Sequence, residues 1–165
     1  MSAAQKIPTD SVLLERNYPA TMPEQVWQLW TTAAGIEQWW APEGFTVRVA
    51  ELDLQPGGTL RYAMTATAPE QVAFMESHGM PLTTESTKRF TELDAPHRIA
   101  YRSLVDFVPG IEPYEVVTIV EIEATANGGT HVAMHAEPMH DATWNERLLA
   151  GRSMELDALG RILAG

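Results

Sequence analysis

The sequence predicts an α+β fold, in which a curved antiparallel β-sheet wraps around one long C-terminal α-helix. Three observations carry this. Period-two apolar runs recur along the chain, separated by glycine-rich turns, above all Pro56-Gly57-Gly58 and Asn127-Gly128-Gly129. A long amphipathic pattern then closes the chain, from Asp141 to about Leu163. Between the first strand and the first hairpin stand Trp39 and Trp40, two large rings that are costly to leave in water.

The elements follow in order. Residues 1–9 carry no pattern and are expected to form a flexible N-terminus, leaving 10–165 as a single domain. Ser11 to Tyr18 reads as the first strand. Thr21-Met22-Pro23-Glu24 has the form of a capping box, with Pro23 in the first turn where its missing donor is harmless. Val26, Trp27, Leu29 and Trp30 follow at helical spacing. Gly35 is expected to break this helix, and Ile36 to Trp40 to make a second short one.

Phe45 to Leu54 reads as a strand with a change of phase. Val47 and Val49 share one face and Leu52 and Leu54 the other, which a β-bulge near Ala50-Glu51 reconciles. Leu60, Tyr62, Met64 and Ala66 alternate after the Gly-Gly turn. Pro69 to Met80 reads as a short inserted helix. Strands resume at Glu85 to Leu93, then at Ile99 to Phe107 after the Asp94-Ala95-Pro96-His97 turn. Tyr114, Val116, Thr118, Val120 and Ile122 form the next inward face, and Val132, Met134 and Ala136 the last. Asp141 is a natural N-cap for the final helix, whose apolar side carries Leu148, Leu149, Leu156, Leu159 and Leu163.

Composition narrows the functional classes. The 165 residues suit one domain with a real core, and the apolar share of 45% is ordinary. The net charge of −11 argues against nucleic acid and against anionic membranes, both of which need Lys and Arg at phosphates. With no cysteine there is no thiol catalysis, disulfide or Cys-ligated metal. No run reaches the roughly 20 apolar residues of a membrane span, and the first ten residues lack a signal-peptide core. A cytoplasmic protein is expected. No dinucleotide glycine signature or phosphate loop is present, so no cofactor is expected.

The order and spacing of several segments resemble the START-like (SRPBCC) superfamily, which has a helix-grip fold. Within it the chain resembles homologues of the C-terminal domain of the heat-shock-protein-90 ATPase activator. The residues that carry the resemblance are Pro23-Glu24-Gln25-Val26-Trp27, Trp39-Trp40-Ala41-Pro42, Asp53 with Pro56-Gly57-Gly58, His135, and Gly151 with Leu156-Asp157 and Leu159. It spans roughly Val12 to Leu163. Two departures stand out: Gly151 is followed by Arg152 where the family commonly has tryptophan, and Pro69 to Met80 is longer than the usual loop. The resemblance implies a small hydrophobic or amphipathic ligand held between sheet and C-terminal helix. The longer Pro69–Met80 segment has two readings, a lid over the cavity mouth or an element that packs on the sheet. Relatives include cyclases and hydrolases, so the alternative to a plain binding protein is an enzyme of that type using the same cavity. Activators that touch the chaperone usually carry another domain before this one, for which this chain is expected to have no room, so a chaperone-modulating module is the least expected of the three.

His131, His135 and Glu137 share a strand face, with His140 beyond, but the two His are about 13 Å apart along the strand and out of phase with the inward residues. A polar outer face is the simpler reading, and no metal site is expected. His140 beside Asp141 reads as a turn next to a helix cap rather than as a general base. Asp106, Glu112 and Tyr114 flank the Pro109-Gly110 loop as solvated groups, and Arg89 and Arg102 read as partners for acidic neighbours. The ligand cavity is expected to be walled by Trp40, Tyr62, Met64, Phe74, Met75, Tyr101, Phe107, Val116, Thr118, Met134, Leu148 and Arg152. Tyr62, Tyr101, Thr118 and Arg152 are the groups that can orient a polar end.

Overall fold

Among the described residues, seven strands and four helices follow in the order β1 (Val12–Tyr18), α1 (Pro23–Thr31), α2 (Ala33–Trp39), β2 (Phe45–Leu52), β3 (Thr59–Ala66), α3 (Pro69–Ser77), β4 (Thr83–Asp94), β5 (Arg98–Val105), β6 (Tyr114–Ala124), β7 (Thr130–Ala136) and α4 (Ala142–Leu163). The computed structural model describes residues 4–165. The strands form one antiparallel sheet in the order β1-β7-β6-β5-β4-β3-β2. The helix-grip fold is therefore present, with α4 packed on the inner face of the sheet through Leu156 and Leu159. No described helix is long and apolar enough to cross a membrane.

Alternation decides the faces, because strand side chains point in turn to opposite sides. Leu60 and Tyr62 of β3, Phe90 of β4, Tyr101 of β5, Val120 and Ile122 of β6, and Val132 and Met134 of β7 are all buried in the main core. The expected bulge in β2 is there: the register shifts between Val49 and Glu51, which pairs Leu52 directly with Leu60 on one face of the sheet. A second bulge falls between Phe90 and Glu92 in β4.

The tryptophans close one end of the core. Trp30, Trp39 and Trp40 are each at most 2% exposed. Ring centroids lie 4.7 Å apart for Trp30–Trp39 and 4.9 Å for Trp39–Trp40. Each such ring removes roughly 150–250 Å² from water, about 4–6 kcal/mol of transfer free energy.

Some local expectations are corrected. The first helix is capped one residue later, where Gln25 Oε1 accepts the Met22 N–H at 2.8 Å, while the Thr21 hydroxyl donates to the Pro19 carbonyl instead. Gly35 does not break a helix but lies inside α2. A Cβ there would stand 2.6 Å from Thr32 Oγ1 and 2.7 Å from the Gln28 carbonyl, so glycine permits the tight join between α1 and α2. The strand expected to run to Leu54 stops at Leu52, β4 begins earlier at Thr83, and β5 ends at Val105, before Phe107. The Asp141 cap is as expected: its Oδ1 accepts the Trp144 N–H at 2.8 Å.

Beyond residues 1–3, which lie outside the described residues, the terminal segment touches the sheet at one point. The Gln5 N–H donates to Glu92 at 2.8 Å, and its carbonyl accepts from Arg98 at 2.8 Å.

Tyr18 joins sheet to helix. Its hydroxyl donates to the Leu156 carbonyl at 2.7 Å. A Cβ on Gly160 would stand 3.1 Å from the Tyr18 ring, so the bare backbone at Gly160 sets how closely helix and strand approach. Burial, opposed by Arg16 and reinforced by Asp157, pushes the Tyr18 hydroxyl above the ordinary phenol range.

Candidate functional site

Inward alternation on β4 places an amine in the core. Lys88 is in phase with Phe90 and is only 5% exposed. Its register partner on β5 is Ser103, and Lys88 Nζ donates to Ser103 Oγ at 3.0 Å. Three aromatic rings surround the ammonium: Trp40 and Tyr62 at 5.7 Å, and Tyr101 at 5.5 Å from ring centroid to nitrogen. Such faces attract a cation but replace little of its hydration.

From the opposite side α4 contributes Arg152, also buried, and Glu155 three residues on. Arg152 Nη1 donates to both Glu155 carboxylate oxygens, at 3.0 and 3.3 Å, and its Nη2 lies 3.4 Å from Ser103 Oγ. The Ser103 hydroxyl is therefore shared between an amine of the sheet and a guanidinium of the helix. Arg152 Nε and the Tyr101 hydroxyl are buried with no hydrogen-bond partner among the described residues.

These surroundings shift the titration of the cluster. Burial, with help from the Arg152 charge and against that of Glu155, brings the Lys88 ammonium down to about 7. Burial pushes the Tyr62 hydroxyl up to about 12 and the Tyr101 hydroxyl higher still. Burial disfavours the charge on Arg152, but Glu155 and the two tyrosines outweigh it and hold the guanidinium charged.

A cavity of about 160 Å³ opens beside this cluster, between β4, β5, β6 and α4. Lys88, Ser103 and Arg152 form its polar wall, and Val105, Phe107, Val116, Met139 and Leu148 its apolar wall. Phe107, 59% exposed, stands at its rim against Trp144, at 5.7 Å between ring centroids. A smaller cavity of about 70 Å³ lies beyond, bounded by Trp40, Met64, Met154 and Glu155. The Arg152–Glu155 pair thus has one member on each cavity. Two larger hollows of about 310 and 320 Å³ are open surface grooves, one between α1, α2 and the end of α4, the other beside Tyr18 and the Asn127 turn. The first contains no buried ionisable side chain, and the second only Tyr18, whose hydroxyl is already bound to the Leu156 carbonyl, so the cavity beside Lys88 is the stronger candidate.

The residues expected in the wall fall into three groups. Phe107, Val116, Leu148 and Arg152 line the larger cavity, and Trp40 and Met64 the smaller one. Tyr62 and Tyr101 flank Lys88. Thr118 and Met134 are buried in the sheet and reach neither cavity. Phe74 and Met75 are also apart from both, which corrects their placement. Val72 and Met75, three residues apart, form the covered side of α3, and this turns Phe74 to solvent at 52% exposure, against His78. No residue of α3 lines either cavity.

Lys88, Ser103 and Glu155 are the polar members that the sequence reading missed. The available signals were the alternation Ser86, Lys88, Phe90 and the spacing Arg152, Glu155, Leu156, Leu159 along one helix face. The outer-face histidines are partnered as a polar surface. His131 meets Glu15 at 3.2 Å and Asn17 at 2.9 Å, and His135 meets Glu121 at 2.7 Å. His140 lies 2.5 Å from the Tyr114 hydroxyl. No metal-binding cluster of His, Cys, Asp and Glu occurs among the described residues.

The family model described as "Activator of Hsp90 ATPase homolog 1-like protein" matches residues 20–164. Solved structures share the fold over nearly the whole chain. Protein CV1439 from Chromobacterium violaceum is 22% identical with a TM-score of 0.72, covering 94% of this chain and 98% of that one. Protein Ms6760 from Mycobacterium smegmatis is 17% identical with a TM-score of 0.71, covering 98% and 95%. The AHSA1 (SPO3351) protein from Silicibacter pomeroyi is 19% identical with a TM-score of 0.69, covering 93% and 97%. No curated protein matches the sequence significantly.

Proposed function

This chain belongs to the activator of Hsp90 ATPase homolog 1-like family, and on that premise we propose that it binds a small amphipathic acid in the cavity between sheet and C-terminal helix. The carrying observation is the charge of the polar wall. Lys88 and Arg152 bring an amine that is protonated in part near neutral pH and a charged guanidinium into a buried space, where the one carboxylate, Glu155, is already bound by Arg152. A buried charge without a counter-ion is unfavourable, so an anionic head group is the natural complement. The apolar tail lies against Val105, Val116 and Leu148 and leaves past Phe107. A volume near 160 Å³ is below the usual ~300 Å³ of drug-sized pockets, which limits the ligand to a short chain or a single ring.

Native mass spectrometry of the purified protein, followed by organic extraction, tests this reading, together with thermal shifts in hexanoate and hexanol. A retained weak acid, or stabilisation by hexanoate but not by hexanol, is expected. An empty protein that responds to neither, or equally to both, rejects it.

A further inference from the structure

We infer that Lys88 is a nucleophilic amine that condenses with the carbonyl of a short-chain α-oxo acid, holding it as an imine in the sheet–helix cavity. This rests on the acid-binding reading of the same cavity and adds a covalent step to it.

Four observations converge. First, Lys88 lines the cavity together with Ser103, the hydroxyl its amine binds. Second, Ser103 Oγ is its hydrogen-bond partner, and the nearby carboxylate of Glu155 is already bound by Arg152 through two contacts. An amine desolvated in this way is neutral, and therefore nucleophilic, in a large fraction of molecules near neutral pH. Third, Arg152 meets the same Ser103 hydroxyl from the helix side, and its Nε has no partner among the described residues. An α-oxo acid carries its carbonyl and carboxylate on adjacent carbons, which suits an amine and a guanidinium that converge on one hydroxyl. Fourth, apart from Ser86 and Thr87 the rest of the wall is apolar, and the cavity of about 160 Å³ is small, which selects a short aliphatic chain.

The step is balanced without any oxidant or reductant. The Lys88 nitrogen lone pair attacks the carbonyl carbon, a C–N bond forms, and the oxygen takes up a proton to give a carbinolamine. Loss of the C–O bond then releases one water. That water carries the carbonyl oxygen and the two protons that the neutral amine gives up, and a C=N bond remains. Ser103 Oγ, within 3.4 Å of both Lys88 Nζ and Arg152 Nη2, sits where a proton passes from nitrogen to oxygen.

The composition makes the test clean, because Lys6 and Lys88 are the only lysines in the chain. The full-length protein is incubated with α-oxohexanoate and sodium cyanoborohydride at neutral pH, and the adduct is mapped by peptide mass spectrometry. Hexanoate, which lacks the carbonyl, serves as the non-covalent probe by thermal shift. One reduced adduct on Lys88 is expected, formed at least about tenfold faster than on Lys6, which lies outside the cavity. Lys88→Met is expected to lose the adduct while circular dichroism shows a folded protein. Stabilisation by hexanoate with no adduct at Lys88 overturns the imine and leaves acid binding intact. No response to hexanoate and no adduct overturns both. Labelling of Lys6 and the α-amine at the same rate as Lys88 also overturns the imine.

Discussion

Lys88 and Ser103 face each other across β4 and β5, and the amine reaches the hydroxyl at 3.0 Å inside the hydrophobic core. A neutral pair of that shape would be unremarked. An ammonium there makes the stability of the protein depend on pH in an unusual direction.

The Lys88 ammonium is held at about 7 in the folded protein, whereas a free lysine loses its proton near 10.4. Between these values the unfolded chain binds the extra proton and the native state does not. Stability therefore rises with pH across that window, by about 1.4 kcal/mol per unit from this group, and the contribution is constant below the folded value. The groups facing it do not cancel the trend: Arg152 remains charged, and Tyr62 and Tyr101 remain neutral until alkaline pH. Above about pH 10 those tyrosines act in the opposite sense, because the unfolded chain ionises them first. Urea denaturation of wild type and Lys88→Met from pH 6 to 9.5 measures the difference, with the variant the more stable at the acid end. Parallel profiles would show that Lys88 is solvated in the native state.

Glu155→Gln removes the partner of a buried guanidinium. Arg152 then keeps its charge with only the Ser103 contact at 3.4 Å. A loss of about 3–5 kcal/mol is expected, read from the shift of the urea midpoint at constant slope. The double variant Glu155→Gln with Arg152→Met should recover part of that loss, since it leaves no buried charge on the helix. A single-variant loss below about 1 kcal/mol would mean that water reaches Arg152.

Tyr18→Phe deletes the hydroxyl that donates to the Leu156 carbonyl while keeping the ring against Gly160. The expected cost is about 1 kcal/mol, from one buried hydrogen bond. Calorimetry would register it as a small drop in Tm. An unchanged Tm would assign the junction of β1 and α4 to ring packing alone.

Much of the fold was legible because it depends on local signals. The β2 bulge followed from the clash of phase between Val49 and Leu52, and the cap of α4 from a single aspartate before a periodic run. The first cap was placed one residue early because Gln25 serves Met22 as well as Glu24 would have served Thr21. Gly35 was misread because its small size answers a contact between two helices, which spacing along one helix does not reveal. The site was half legible. Arg152 stood out as a cation on an apolar helix face. Lys88 did not, because a lysine among Thr87, Arg89 and Glu85 looks like a solvated strand until Phe90 fixes the phase. Phe74 shows the opposite failure, an aromatic residue assigned to a wall by type when its helix turns it outward.

The strand order has a consequence for how the chain is made. β1 lies at one edge of the sheet and pairs only with β7, so Val12 meets Ala136. The five strands between them in sequence can zip as neighbours as soon as each hairpin leaves the ribosome, whereas β1 waits. Its amides have no strand to pair with until translation has passed Ala136, and α4, which Tyr18 grips, is made later still. The first strand synthesised is thus among the last to be docked, and the contact that completes the sheet is one of its most distant in sequence, an ordering that slows folding.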